Sequence, residues 1–562
     1  MKRRSKLLAA ILISALTVGS LAGCGGSSGA WGTSASGTTD AGEDASLEGE
    51  NILSGDDSSA ANESVTDERE SKDTVHIAIN AQPATLDIMV NPNFLARQIM
   101  GAGSVYEQLV TLDADYKPQL ELAESYETSE DMTTWTYHLR KGVKFHDGSE
   151  MLAEDVAASV NRWIESVPVA QTACGEARFQ VVDNYTVSIT LAEPCSQMNM
   201  LMAGSSPSCI ITTKEAIDSV KDGTLTEYIG TGPYKMAEWA TDQYIKLEKF
   251  DDYQPYGTEG EFSGWGGYKT AYIDTAYYDI VSDDSTRIAG IQSGQYDMLF
   301  VPCPLDNFDQ LTTSADTTLI KEDRGNFLIV YNKKGEATGD KVVRQAINKL
   351  LNYDEVMTAA FVDSKFYTLT PSIMFNEKSM YYTEAGKEDF YQNDPEGAIK
   401  LLEDNGFDLS TPIKVLTPTN YTEYYNAELA ISNQLEEAGL NPELVSMDWA
   451  SCYSTMESED GWDIFVYTVA DSILPPLLQY LSGPAAHGFP EDETVQALQH
   501  DILFAPDDET AVAKWKELQE YMWTDYVPVT SFGAWQSYSA IAGDYDMSFM
   551  QGGILWNAKF YE

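Results

Sequence analysis

The chain has 562 residues, with 35 Lys and Arg against 88 Asp and Glu, so its formal net charge is −53. This surplus of carboxylates argues against binding to nucleic acids or to anionic membrane surfaces, because both require clustered cations. A hydrophobic content of 43%, with 32 Tyr and 11 Trp, also argues against a wholly disordered chain. The composition predicts large folded units with substantial cores.

The N-terminal residues predict export. A cationic start over residues 1–6 precedes an apolar run over residues 7–18, and small residues follow up to Cys24. This order is typical of a secretory signal, and the apolar run is short for a membrane-spanning helix. The run Leu21-Ala22-Gly23-Cys24 resembles the bacterial lipobox. Residues 1–23 are therefore expected to be a lipoprotein signal peptide, and Cys24 is expected to carry the lipid.

Residues 25–74 consist mainly of Gly, Ser, Ala, Thr, Asp and Glu. Such a segment buries too little apolar surface to offset the entropy lost on ordering it. We therefore expect residues 24–74 to be a lipidated Cys followed by a disordered acidic tether. The expected location is the extracytoplasmic face of the cell membrane, on the surface of a Gram-positive cell.

Folded structure is expected to begin near Thr74, and strands and helices then interleave. Alternating apolar residues predict strands over residues 75–79, 134–139 and 185–191. Apolar residues at helical spacing predict helices over residues 153–163, 340–356 and 427–440. Interleaved elements of both kinds indicate α/β structure rather than a helical bundle or a β-sandwich.

A series of motifs runs in a fixed order along the chain from about residue 75 to its end. They are Tyr106–Leu109, Leu122–Tyr126, Trp135–Gly148, Ala153–Val156, Gly230–Lys235, Glu238–Trp239, Gln292–Asp297, Val343–Asn348, Ala398–Leu402 and Tyr526–Val529. Together they resemble the peptide/nickel-type solute-binding proteins (family 5) of bacterial ABC transporters, which include oligopeptide- and dipeptide-binding proteins.

This resemblance implies a two-lobe α/β fold of the periplasmic-binding-protein type (class II or cluster C). Lobe I would comprise residues 75–325 plus 530–562, with an inserted subdomain at about residues 97–225, and lobe II would comprise residues 326–529. Two strands would cross between the lobes, near residues 326–331 and 527–530. A ligand would be enclosed by hinge closure.

The resemblance also indicates candidate ligand residues in the second lobe. In the peptide-binding branch, an Asp in the pattern Trp-x-x-Asp-x-x-x-Pro pairs with the α-ammonium group of the peptide. Here Asp471 keeps the carboxylate, whereas Thr468 replaces the aromatic residue. The alternative is that Asp471 caps the following turn or helix. Trp449 lies where the family has a pocket Trp, and core packing is its alternative role.

In the first lobe, Thr231 and Gly232 lie where polar contacts to ligand occur in relatives; a structural strand end is the alternative. The last arginine of the chain is Arg344, so most of lobe II has none to hold a ligand carboxylate. Lys residues or a first-lobe arginine such as Arg97 could substitute. This departure leaves room for cationic peptides, metal chelates, opines or glycans, and the acidic net charge favours a cationic or neutral solute.

Signals of metal binding or catalysis are weak. The five His have no ligand spacing, and no phosphate-binding loop or dinucleotide fingerprint occurs. Besides Cys24, five Cys allow at most two disulfides, with Cys195 and Cys209 as a candidate pair. Two hypotheses remain. The first is a monomeric receptor that needs no cofactor and delivers its ligand to ABC transporter permease subunits; the second is an extracellular hydrolase.

Overall fold

The structure is a computed structural model that describes residues 52–54, 69–90, 93–204, 207–220, 222–300, 303–314, 316–470, 472–478, 480–481 and 486–562. All of these residues belong to one compact unit, residues 49–562. Within them, no helix has the length and apolar character needed to cross a membrane.

The strands are distributed along the whole described chain. They are β1 Ile52–Ser54, β2 Thr74–Ile79, β3 Val110–Leu112, β4 Pro118–Leu120, β5 Ala123–Thr128, β6 Thr134–Leu139, β7 Gln180–Asp183, β8 Thr186–Thr190, β9 Tyr234–Ala240, β10 Tyr244–Lys249, β11 Phe262–Ser263, β12 Gly266–Gly267, β13 Thr275–Ile280, β14 Met298–Leu299, β15 Thr317–Tyr331, β16 Tyr367–Leu369, β17 Pro412–Pro418, β18 Asn441–Met447, β19 Ile464–Ala470, β20 Val529–Ala542, β21 Tyr545–Phe549 and β22 Gly553–Phe560.

The helices alternate with these strands, which confirms the α/β class. They are α1 Phe94–Met100, α2 Ala153–Ser166, α3 Pro168–Cys174, α4 Met198–Ala203, α5 Lys214–Asp218, α6 Asp284–Gln292, α7 Phe308–Thr312, α8 Lys341–Leu350, α9 Tyr353–Phe361, α10 Pro395–Asp404, α11 Thr422–Glu437, α12 Trp449–Met456, α13 Glu493–Leu503 and α14 Asp508–Tyr521.

One mixed sheet dominates the described chain. Its strand order is β18-β17-β19-β15-β20-β14-β2-β13-β10-β9, with β1 added beside β15 and β16 beside β20. We call β14, β2, β13, β10 and β9 the first half of the sheet, and β17, β18 and β19 the second half. Central strands such as β2 are buried along most of their length, as expected when both faces of a sheet are covered.

Two long strands join the halves. β15 and β20 pair antiparallel from Thr317 opposite Ala542 to Val330 opposite Val529. The other edge of β20 pairs with β14 in the first half, and the other edge of β15 pairs with β19 in the second half. These strands contain or overlap both predicted crossing segments. The lobe boundaries that the resemblance implies, at residues 325/326 and 529/530, stay predictions.

Residues 97–225 contribute no strand to the large sheet in the part of the chain that the structure describes. They form instead a four-stranded sheet of order β5-β6-β8-β7, and α2 packs against β7 and β8. The predicted apolar face of α2 is buried, since Val156, Val160 and Trp163 are at most 1% exposed. The extent of the predicted subdomain, about residues 97–225, stays a prediction.

Two sequence predictions need correction. The single helix expected over residues 340–356 is two helices, because the Asn352 side chain accepts a hydrogen bond from the Glu355 amide and starts α9. Part of the expected tether, β1, pairs parallel with β15, with Ile52 opposite Leu319. Ile52 is one of the few large apolar residues of that segment and packs against buried residues. The signal peptide, Cys24 and most of the tether lie outside the described residues.

Candidate ligand-binding cleft

The parallel strands in the first half of the sheet have their carboxyl ends on the side of the second half. β2 is parallel to both β13 and β14, so their carboxyl ends lie at one edge. Along β14, Met298 pairs with Ile541 of β20 and Leu299 pairs with Ala540. The carboxyl ends therefore point along β20 toward the residues where β20 and β15 enter the second half.

The second half has the opposite orientation. β17 is parallel to β18 and β19, so these three strands also share a carboxyl edge. β19 is antiparallel to β15, and Ala470 at its carboxyl end lies opposite Gly325. The two carboxyl edges therefore face each other across the middle of the crossing strands. We call the region between them the cleft, since ligands of open α/β sheets bind outside the carboxyl ends of strands.

An aromatic cluster lines the second-half side of the cleft. Trp449 begins α12 directly after β18, and its ring centroid lies 4.7 Å from that of Tyr424 and 5.0 Å from that of Tyr421. Trp449 also stacks on Tyr467, at 6.1 Å with an interplanar angle of 11°. Tyr421 and Tyr425 remain 43% and 37% exposed. These rings offer flat apolar faces to a bound solute.

The first-half side combines polar and aromatic groups. Asn80 directly follows β2, and its Oδ1 is buried without a hydrogen-bond partner among the described residues. Phe300 directly follows β14, and its ring centroid lies 5.9 Å from that of Phe94 at the start of α1. The Arg97 guanidinium lies 5.6 Å from the centroid of the Phe94 ring. An arginine therefore lies beside this aromatic pair.

Comparison with known families identifies the chain. The model described as "Bacterial extracellular solute-binding proteins, family 5 Middle" matches residues 117–484, which is more than half of the sequence. The chain belongs to this family. As a family-5 solute-binding protein it is expected to use the cleft between two lobes, and the sequence-based recognition is confirmed.

Relatives of known name agree with this membership. A protein of Sinorhizobium fredii named as a probable peptide ABC transporter periplasmic-binding protein is 26% identical over 450 residues, which cover 76% of this chain and 83% of the relative. The glutathione-binding protein GsiB of Salmonella typhimurium strain LT2 is 25% identical over 472 residues, covering 81% of this chain and 87% of the relative.

Solved structures show the two-lobe α/β fold. The protein AgaA of A. tumefaciens R10, in complex with agropinic acid, superposes with a TM-score of 0.70 at 23% identity, covering 87% of this chain and 99% of that one. The oligopeptide-binding protein AppA of Bacillus subtilis, in complex with a nonapeptide, has a TM-score of 0.66 at 18% identity, covering 85% and 96%. The predicted fold class is confirmed.

The predicted second-lobe residues of this family-5 protein lie at the cleft where they are described. Thr468 is in the last part of β19, and its hydroxyl is 2.9 Å from the Tyr424 hydroxyl. Trp449 belongs to the aromatic cluster, and its amide donates to Asn420 Oδ1 at 2.8 Å. Asp471 lies outside the described residues. Its role, like that of Thr468 and Trp449 in binding, stays a prediction.

The predicted first-lobe residues, Thr231 and Gly232, do not lie at the carboxyl edge that borders the cleft. Both precede β9, whose first residue, Tyr234, pairs with Lys249 at the amino edge of the sheet, opposite the carboxyl edge. The Gly232 amide donates to the Val105 carbonyl at 3.0 Å, and a Cβ at Gly232 would lie 2.3 Å from a backbone oxygen. Close backbone packing therefore explains this glycine, and a ligand contact for the pair stays a prediction.

Contacts also join the predicted subdomain to the predicted second lobe. Tyr381 donates from its hydroxyl to Gln197 Oε1 at 2.8 Å, and Gln197 Nε2 donates to Asp508 Oδ1 at 2.8 Å. An open pocket of about 750 Å³ lies beside Gln197, with Trp135 and Met380 among its walls. None of the predicted ligand residues in the described part of the chain lines this pocket.

Cysteine and metal chemistry play no visible part in the described cleft. Cys195 and Cys209 are free, buried thiols, so the candidate disulfide is wrong. Burial in the apolar core raises the pKa of the Cys195 thiol to about 12, and Cys174, Cys303 and Cys452 are likewise buried and free. Across the described ranges, no group of three or more His, Cys, Asp and Glu could hold a metal ion.

Proposed function

We propose that the protein is an extracytoplasmic receptor that captures a peptide-like solute between its lobes and delivers it to an ABC importer. The observation that carries this proposal is the cleft itself, where two carboxyl edges face each other and one side is aromatic. The names of two relatives, a peptide-transport protein and a glutathione-binding protein, support a ligand built from amino acids. Glycans, opines and metal chelates are the alternative ligands within the same family.

The aromatic cluster would hold the apolar parts of the solute. Trp449 and Tyr467 present nearly parallel rings, and Tyr421 leaves part of its ring uncovered. Aromatic faces bind peptide side chains without demanding one sequence, which suits a transporter that serves many peptides. Asp471 and Thr468 would add polar contacts at the end of β19. The family resemblance also proposes Thr231 and Gly232 of the first lobe, although both precede the amino edge of the sheet.

Attachment and delivery complete the proposal. Lipidation of Cys24 would hold the protein at the membrane surface, and the closed monomer would dock onto the permease subunits. No cofactor is needed, because capture and release change no covalent bond. The acidic character of the chain makes nucleic acid an unsuitable partner.

The decisive experiment identifies the solute. The purified protein is denatured, and the released small molecules are identified by mass spectrometry; the same molecules are then added back during thermal unfolding. A binder raises the melting temperature in proportion to ln(1 + [L]/Kd) and returns its ligand unchanged. Recovery of the added molecule in a cleaved form would instead support the hydrolase hypothesis.

Trp449→Ala tests the aromatic side of the cleft. Loss of the stacked ring should weaken binding of the recovered solute by about two- to tenfold, because such contacts contribute about 0.5–1.5 kcal/mol. Isothermal titration calorimetry measures the change. Tyr272→Ala is the matched control, since Tyr272 is 44% exposed and contacts Lys559 away from the cleft. Equal affinities of wild type and Trp449→Ala would contradict this role.

A further inference from the structure

Arg324 occupies a special position on the crossing strand β15. The pairing of β15 with β20 shifts between Asp323, opposite Gln536, and Gly325, opposite Trp535. Arg324 is the extra residue of this β-bulge, and the next residue, Gly325, begins the pairing with β19 at Ala470. Bulges reorient side chains and are frequent beside binding sites. Arg324 therefore lies where the two carboxyl edges meet.

The Arg324 side chain is held by an aromatic ring. Its guanidinium carbon lies 3.6 Å from the centroid of the Phe94 ring, which is close enough for a cation–π contact. Phe94 is supported from the first-half side by Phe300. The Arg97 guanidinium approaches the same ring. The Arg324 guanidinium thus lies over the face of the Phe94 ring.

The donors of Arg324 are unused by the described residues. Its guanidinium makes no hydrogen bond and no ion pair with them, although the side chain is half-buried. Burial lowers the pKa of Arg324 to about 10, and the nearby Glu322 counteracts this in part. The group therefore stays charged at neutral pH. Burying a charged group with five donors and no acceptor is costly unless an acceptor arrives.

The neighbouring carboxylates are engaged elsewhere. Glu322 Oε1 accepts a hydrogen bond of 2.6 Å from the Gly552 amide. Asp323 Oδ1 accepts one of 2.9 Å from Gln536 Nε2. Glu322 also acts on Arg324 through its charge, which partly offsets the effect of burial on the pKa of Arg324. The strand itself does not supply the missing acceptor.

We propose that Arg324 binds a carboxylate of the transported solute, with Phe94 fixing the plane of the guanidinium. This inference rests on the proposed function and names its substrate class: solutes that carry a free carboxylate, as peptides do, rather than neutral glycans. The planar fork of arginine matches a carboxylate with two parallel hydrogen bonds. The arginine missing from the second lobe is thus replaced by one on the crossing strand.

The two arginines at the Phe94 ring allow an anionic group to bind despite the negative net charge of the chain. The chain carries −53 overall, which by itself favours a cationic or neutral solute. At the cleft, Arg324 and Arg97 both lie at one aromatic ring. Contacts at a few ångströms in a half-buried site outweigh the screened field of distant surface carboxylates. An anionic group of the solute is therefore accommodated at this point.

The test uses the full-length chain and a tripeptide mixture made from Gly, Ala, Leu, Phe and Tyr. One form of the mixture has free C-terminal carboxylates and the other has C-terminal amides. Species retained by the protein after gel filtration are quantified by mass spectrometry. Wild type should retain the acid form at least tenfold over the amide form, and Arg324→Gln should lose this preference. Arg324→Lys should be intermediate, because it keeps the charge without the fork.

Lys321→Gln is the matched control. It removes a cation from the same strand, but Lys321 Nζ already donates to the Lys365 carbonyl at 2.5 Å, so the acid preference should be unchanged. The melting temperature of solute-free Arg324→Gln should equal or exceed that of wild type. A lower melting temperature with an unchanged acid preference would assign Arg324 to folding and overturn the proposal.

The remaining outcomes separate this inference from the proposed function. Equal retention of acid and amide forms by wild type overturns the role of Arg324 and leaves peptide capture standing. Retention of neither form contradicts peptide capture itself, and the inference fails with it.

Discussion

Two cationic sites of the protein, one buried and one half-buried, use their hydrogen-bond donors differently. At the buried site, Lys269 is 2% exposed and contacts both Glu107, at 3.2 Å, and Glu121. Tyr253 adds a hydrogen bond to Glu107 at 2.8 Å. At the crossing strand, Arg324 contacts a ring and no acceptor among the described residues. The first cation is paired with two carboxylates of the protein, whereas the second has no anionic partner among the described residues.

This difference separates charges that serve the fold from charges that await a ligand. A buried ion cluster is stable when each charge meets opposite charge and hydrogen bonds, and removing one member leaves the others uncompensated. A half-buried cation that contacts only an aromatic ring contributes much less to folding. Substitutions at the two kinds of site should therefore differ sharply in their effect on the free energy of unfolding.

The largest loss is expected for Lys269→Met. The substitution leaves two buried carboxylates without their cation, so the free energy of unfolding should fall by about 3–5 kcal/mol. Burial already raises the pKa of Glu121 to about 7 even beside Lys269. Guanidinium unfolding measures the change, and Lys117→Met, at a side chain 73% exposed, is the control. A loss below about 1 kcal/mol would contradict the expectation that Lys269 stabilises the fold much more than Arg324 does.

A somewhat smaller loss, about 3 kcal/mol, is expected for Arg162→Met. Arg162 holds the buried Asp87 with two hydrogen bonds, of 2.6 and 3.2 Å. Asp87 would keep its bond from the Leu225 amide, so it would be only partly uncompensated. The same denaturant assay applies, with the more exposed Arg178→Met as control. If Arg162→Met were as stable as wild type, an arginine that is hydrogen-bonded to a buried carboxylate would contribute no more to stability than Arg324 is expected to.

The smallest effect concerns a buried acid without a cation. Glu428 is fully buried, accepts a hydrogen bond from the Val466 amide, and burial raises its pKa well above 4.5. The folded state thus binds the proton more tightly than the unfolded state. Stability from this group is complete below pH 4.5 and declines as the pH rises toward the folded pKa, by about 1.4 kcal/mol per unit.

Glu428→Gln should remove that decline. Unfolding free energies measured between pH 4.5 and 7.5 should show a flatter profile for the variant than for wild type. Glu437→Gln, an exposed position at the end of the same helix, should keep the wild-type slope. Identical slopes for wild type and Glu428→Gln would show that Glu428 ionises freely in the folded protein.

Much of the fold could be predicted from local patterns. The strand over residues 134–139 agrees with β6 at both ends, and the predicted face of α2 is buried. The break between α8 and α9 was missed because apolar spacing continues through Leu351, although Asn352 followed by Asp354 and Glu355 is a helix-start signal. The segments expected to cross between the lobes lie in or overlap β15 and β20, which are longer than those segments, since strand pairing, not local sequence, sets strand length.

The site was less predictable than the fold. Trp449 was singled out because it lies in a family pattern, and its role in binding stays a prediction. Arg324 lies in no such pattern. Its proposed role depends on a β-bulge and on a contact with Phe94, 230 positions earlier in the chain. Contacts of that kind are tertiary, so no spacing in the sequence reveals them. Arg97, suggested from sequence as a substitute for the missing arginine, lies at the same ring.

The strand β1 has a consequence for how copies of the protein behave in solution. β15 pairs with β20 along one edge, and β19 covers its other edge only from Gly325 onward. Ile52–Ser54 pairs with Leu319–Lys321, in the part of that edge that β19 does not cover. Open strand edges are templates for pairing between molecules. A short segment near the N-terminus thus shields the central strand from sheet extension by a second copy.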